Sequence, residues 1–237
     1  MQEKKATLIE HLEELRRRLL VCIIALVLCG VISYTYIDRI LFLFTRFVDR
    51  VVFISPQEAF VTYIKIALFS GMLLASPVIM FQVWRFVEGA FTEIERKYFL
   101  AYWVSSFFLF MGGLAFCYFL ILPWAIKFFL SFQTDKIIPM ITFSNLATFY
   151  LMLLISFGIL FELPVVIVFL SQVGIIGPSF LRKQRKYAIL AIFIVSAVIT
   201  PTTDPVTQTL LAIPLVGLYE ISILLSSVVK SRPELRG

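Results

Sequence analysis

The chain has 237 residues, of which 60% are hydrophobic and only 15% charged, and its formal net charge is +6. A soluble domain of this size cannot hide so much apolar surface, so its solvent is lipid and residues 1–237 read as a single polytopic membrane domain. The basic excess does not mark a nucleic-acid partner, because Lys and Arg are spread between apolar segments.

Taken from the amino terminus, Leu8, Leu12, Leu15 and Leu19 recur on one helical face, with Glu13 to Arg17 and Glu14 to Arg18 as i,i+4 pairs beside it. This spacing predicts an amphipathic helix that lies along the interface before turning into the membrane. Basic residues ahead of an apolar run imitate a cleavable signal. The interspersed Glu3, Glu10, Glu13 and Glu14, a run long enough to span, and the lack of a small-residue cleavage site near Asp38 favour mature chain.

A bilayer core takes about 20 apolar helical residues to cross. Windows of that size predict spans at about 19–37, 62–84, 99–122, 147–171, 187–200 and 207–227. The intervening segments number five basic residues in 1–18, three in 85–98, four in 172–186 and three after 229, against three in 38–61, two in 123–146 and none in 201–206. Fifteen against five predicts that both termini and the 85–98 and 172–186 loops face the cytoplasm. The expected architecture is an all-α membrane protein of six transmembrane helices, both ends inside.

Three features of the later spans stand out. Tyr187 to Thr200 holds only fourteen residues before Pro201, about 21 Å of helix against a hydrocarbon core of about 30 Å. The next span carries Pro214 and Glu220, so two short final spans joined by a Pro201 to Pro205 turn are expected to thin the bilayer or leave a polar notch. Glu162, in Phe161-Glu162-Leu163-Pro164, sits at membrane depth, where an ionised carboxylate must be neutralised, wetted or paired. Gln208 is its candidate neighbour across the notch, and Pro164 predicts a kink.

Catalytic and ligand-binding patterns are missing from the sequence. His11 is the lone histidine, the three cysteines lie in apolar runs without CxxC spacing, and HExxH, GxSxG and P-loop motifs are absent, so neither an enzyme nor a metal or cofactor is expected. What remains is a protein that binds or conducts something.

Motifs through the whole chain resemble the TatC family. His11-Leu12-Glu13-Glu14-Leu15-Arg16-Arg17-Arg18-Leu19 resembles its amino-terminal signature, and Ser55-Pro56-Gln57-Glu58-Ala59-Phe60 the segment before its second helix. Ser76-Pro77-Val78-Ile79 with Gln82, Val83, Trp84 and Phe86, then Glu95-Arg96-Lys97, match its first inner loop and the approach to it. Phe161 to Pro164, Leu181 to Arg185 with Tyr187, and Thr200-Pro201, Asp204 and Gln208 to Pro214 follow in family order.

The resemblance implies the core of the twin-arginine translocase, in the bacterial inner membrane, where it recognises signal peptides bearing paired arginines and helps export folded cargo using the proton-motive force. It implies TatA and TatB subunits as partners in an oligomeric complex. On this resemblance Glu14 and Glu95 are the signal-binding acids, since two adjacent guanidinium forks want two carboxylates. Phe86, His11 and Arg16 are expected to support that site, with Glu93 as a lesser acid and Glu13 and Glu10 as solvated partners of Arg17 and its neighbours. Glu162 and Gln208 are expected to form an intramembrane contact, and Pro56, Glu58 and Asp204 an outer cap. The rival is a small-solute or ion transporter coupled through Glu162, against which the chain offers no internal repeat. A scaffold that moves nothing would tolerate neutralisation of Glu14, Glu95 or Glu162.

Overall fold

The computed structural model describes residues 8–48, 50–88, 98–134, 140–199 and 205–230. Glu93, Glu95 and Asp204 lie outside the described residues. Among the described residues ten α-helices follow in order: α1 Leu8–Thr35, α2 Ile37–Thr45, α3 Pro56–Val87, α4 Phe99–Phe116, α5 Leu122–Leu130, α6 Phe143–Leu160, α7 Leu163–Gln172, α8 Pro178–Lys183, α9 Arg185–Ile199 and α10 Pro205–Lys230. An isolated β-bridge joins Val52 to Thr142.

The all-α, six-span architecture is the one the structure shows. Among the described residues five stretches are long and apolar enough to cross a bilayer: Glu10–Thr35, Pro56–Val87, Phe99–Leu130, Phe143–Gln172 and Pro205–Val228. The sixth, α9, is the short one, at 15 residues or about 22 Å. The last helix runs unbroken for 26 residues through Pro214 and Glu220, so by helix length the shortness belongs to α9.

The amphipathic segment and the first span are one continuous helix without an intervening turn. Neither Pro nor Gly occurs between Leu8 and Cys29 to break it. Its 28 residues measure about 42 Å, so some 12 Å, two turns, project beyond a core of about 30 Å. The expected Glu14 to Arg18 pair forms. Glu13 and Arg17 are both exposed and make no ion pair among the described residues, because water solvates each as well as the other would.

Proline sets the breaks in the other helices. Pro77 cannot donate to the Leu73 carbonyl, and the Ser76 hydroxyl takes that place at 2.7 Å, so α3 continues. Ahead of Pro123 the third span winds into a π-turn, Cys117–Ile121, closed by the Leu122 N–H on the Cys117 carbonyl. At Pro164 the fourth span breaks: α6 ends at Leu160, Phe161 and Glu162 form a turn, and α7 resumes at Leu163.

The chain divides into two compact units, residues 1–44 with 53–107, and residues 45–52 with 108–237. In the first, α1 packs along α3, and they approach closely at Gly71, where an added Cβ would stand 2.5 Å from Gly30 Cα. Near the other end of α3, Trp84 stacks on Tyr102 and donates to Ser106 at 2.7 Å, and Trp103 donates to the Pro77 carbonyl at 3.0 Å, lacing α3 to α4. In the second unit α10 packs on α7, α8 and α9 around Ile167, Leu181, Ile192, Leu215, Tyr219 and Ile223.

Candidate functional site

The first unit gathers three of the predicted site residues at one place on the α1/α3 seam. The His11 ring stacks on Phe86, centroids 4.4 Å apart and planes 22° from parallel. One turn further along α1, Glu14 Oε1 accepts from Arg18 Nε at 3.0 Å and again from Arg18 Nη2. Arg18 Nη1 reaches across to Gln82 Oε1 at 3.1 Å, one turn before Phe86 on α3. Helical spacing explains the register: 11, 14 and 18 share a face of α1, 82 and 86 a face of α3.

Glu14 is the centre of this cluster. Both Arg18 bonds fall on Oε1, while Oε2 lies 3.9 Å from His11 Nδ1, beyond hydrogen-bond distance. An ionised carboxylate can accept about four hydrogen bonds. The side chain is 39% exposed, so Oε2 is reachable by an incoming donor. The Arg18 guanidinium, 19% exposed, fixes the carboxylate through its fork, and Gln82 fixes the guanidinium. The stacked His11 and Phe86 form an aromatic wall beside it.

At the end of α3, Arg85 pairs with Glu88 at 2.9 Å, immediately before residues 89–97. Arg16 is exposed on another face of α1 and does not join the cluster. Arg18 and Gln82 are the members that sequence reasoning left without a role at this site. Arg18 carried a signal, standing four residues after Glu14, whereas Gln82 lies 64 positions from its partner and had none.

The other predicted positions lie elsewhere. Pro56 is the first residue of α3, whose N-cap Ser55 accepts from the Glu58 N–H at 3.3 Å, while Glu58 Oε2 accepts from the Ile54 N–H at 3.0 Å. This is a close variant of the capping box, and Ser-x-x-Glu ahead of an apolar run announces it. Glu162 sits in the α6/α7 turn with Oε1 buried. The Gln208 amide donates to the Phe193 carbonyl at 3.0 Å and so ties α10 to the short α9. Those two belong to the second unit.

A family model described as Sec-independent protein translocase protein (TatC) matches residues 10–214. The TatC protein of Carboxydothermus hydrogenoformans is 41% identical over 236 residues, covering 98% of this chain and 97% of that protein. That of Aquifex aeolicus is 38% identical over 229 residues, 93% of this chain and 95% of its own length. A crystal structure of the twin arginine translocase receptor TatC superposes with a TM-score of 0.80 at 38% identity, over 93% of this chain and 100% of that one. A second, of the same receptor in DDM, gives 0.83 at 38% identity over 92% and 99%. With long membrane-crossing helices and these matches over nearly its full length, the chain belongs to the TatC family of Sec-independent protein translocase components.

Proposed function

We propose that this protein is the signal-reading subunit of the translocase and that the Glu14 cluster is half of its reading site. The carrying observation is Glu14 itself, a carboxylate held rigid through one oxygen while the other is left to an incoming guanidinium. Two adjacent arginines call for a second acid. Glu95, close in sequence to the Phe86 end of α3, is the residue we assign, with Glu93 as the lesser choice. The His11 to Phe86 stack offers a planar face on which a guanidinium or an apolar signal residue can lie.

The wider reading follows from the family and the charge pattern. Fifteen basic residues against five orient both termini to the cytoplasm, in a bacterial inner membrane. TatA and TatB are the expected partners, folded proteins the cargo, and the proton-motive force the energy source. Membership of a translocase family leaves the solute-transporter reading without support, and Glu162 with Gln208 are proposed as intramembrane partner contacts.

The test is photocrosslinking of a twin-arginine signal peptide to the purified protein, with probes in residues 8–18 and 85–97. Charge-assisted hydrogen bonds contribute about 1.5–3 kcal/mol, so Glu14→Ala should weaken peptide binding roughly 10- to 100-fold. Glu95→Ala should do the same, and replacing the peptide's arginine pair with lysines should mimic either. Crosslinking that ignores the arginines and both carboxylates sinks the receptor reading.

A further inference from the structure

A groove that the signal site leaves unused opens in the second unit, between α5 and the start of α10. It is a cavity of about 870 Å³, within the usual range for ligand sites of about 300–1,000 Å³. Trp124, Lys127 and Phe128 line it from α5, Leu210 and Ile213 from α10.

Its chemistry is graded along the membrane normal. The third span, Phe99–Leu130, has 32 residues and measures about 48 Å, so its ends overrun a core of about 30 Å and its last turn stands at headgroup level. Lys127 is in that last turn. Trp124, 68% exposed, lies just below it at the depth where interfacial tryptophans anchor. Ile213, two turns into α10, lies deeper still, alongside acyl chains. The mouth is therefore cationic and the wall apolar.

The polar groups at the mouth select an acceptor. The Ser131 hydroxyl donates to the Phe128 carbonyl at 2.7 Å and the Thr209 hydroxyl to the Pro205 carbonyl at 2.6 Å, so both protons are already used within their own helices. Lys127 is left as the charged donor, and among the described residues no carboxylate pairs with it. Asp135 and Asp204 lie outside the described residues. An ammonium at headgroup level above an apolar slot matches an amphiphile with an anionic head and a hydrocarbon tail. An apolar polypeptide segment would fill the slot but bring no anion to Lys127.

We infer that this groove binds an anionic glycerophospholipid, its phosphate on the Lys127 ammonium and an acyl chain between Trp124 and Phe128 on one side and Leu210 and Ile213 on the other. The inference stands on the second unit alone and does not depend on the signal-peptide reading.

The experiment reconstitutes the full chain in nanodiscs containing phosphatidylglycerol with a photoactivatable acyl chain and, in parallel, the matching phosphatidylcholine probe. Labelled peptides are then mapped. Expected is saturable labelling of residues 123–131 and 205–213 by the phosphatidylglycerol probe. Lys127→Gln should lower that labelling about fivefold while leaving the phosphatidylcholine signal unchanged. Ile213→Trp, which fills the slot, should lower labelling by both probes, with α1 labelling as the internal standard. Labelling that does not saturate, that spreads evenly over lipid-facing residues such as Ile23 and Leu28, or that is indifferent to Lys127→Gln overturns the proposal. So does displacement of the probe by an apolar signal peptide without an effect of headgroup charge.

Discussion

The α1/α3 pair of the first unit and the α6 to α10 group of the second hold together by different means. In the first, two long helices meet through glycine at one place and through a ladder of charged and aromatic side chains at another. The second is built around a span broken at Pro164, and small hydroxyls and buried rings lock the pieces: Ser226 donates to Ser171 at 2.8 Å, and Tyr219 to the Leu181 carbonyl at 2.9 Å. In lipid, apolar surface gains little by leaving one hydrocarbon for another, so association rests on close packing and on polar bonds. Unbroken helices can use backbone approach. Broken ones must also satisfy freed backbone groups, which places hydroxyls at their seams.

The sharpest way to break the comparison is at the glycines. A Cβ on Gly71 would meet Gly30 Cα and N at 2.5 Å, all backbone, so Gly71→Ala must push α1 off α3. Thermal unfolding in detergent should show a loss of about 1–3 kcal/mol, the usual cost of overpacking. The reverse change should be mild: a Cβ on Gly30 meets Leu68 Cδ2 at an ordinary 3.6 Å, so Gly30→Ala should fall within about 0.5 kcal/mol of the unaltered chain. Equal losses at both positions would show that the seam is not set by this one approach.

A smaller effect is expected from the hydroxyl locks of the second unit. Tyr219→Phe removes a buried donor from the Leu181 carbonyl and should cost about 1 kcal/mol in the same assay, with protease sensitivity rising first around residues 178–186. The smallest concerns the ion pair Arg185 to Glu220, at 2.7 Å but 49% and 40% exposed. Arg185→Gln should change stability by less than about 0.5 kcal/mol, because an exposed pair gains little over its hydration. A larger loss there than at Tyr219 would invert the ranking and place the second unit's cohesion in charge.

Much of this was legible in the sequence because lipid imposes strict rules. Span number, the shortness of α9, the break at Pro164 and the Glu14 to Arg18 pair all follow from hydropathy, helix rise and i,i+4 spacing. Glu14, His11 and Phe86 were expected together on motif grounds, and the structure stacks two of them and sets the third beside the stack. Gln82 illustrates the limit: its partner Arg18 is 64 positions away in sequence, and no local pattern connects the two.

What the chain determined by itself is the set of helices, because each span in a bilayer must satisfy its own backbone and bury its own length, and both demands are local. The tertiary structure decided which faces meet. That Gly71 rather than Gly30 carries the close contact, that Gln208 bonds the Phe193 carbonyl, and that Lys127 stands over an apolar slot depend on helix rotation and approach. Those are fixed by packing between segments far apart in sequence, where hydropathy is uniform and carries no information.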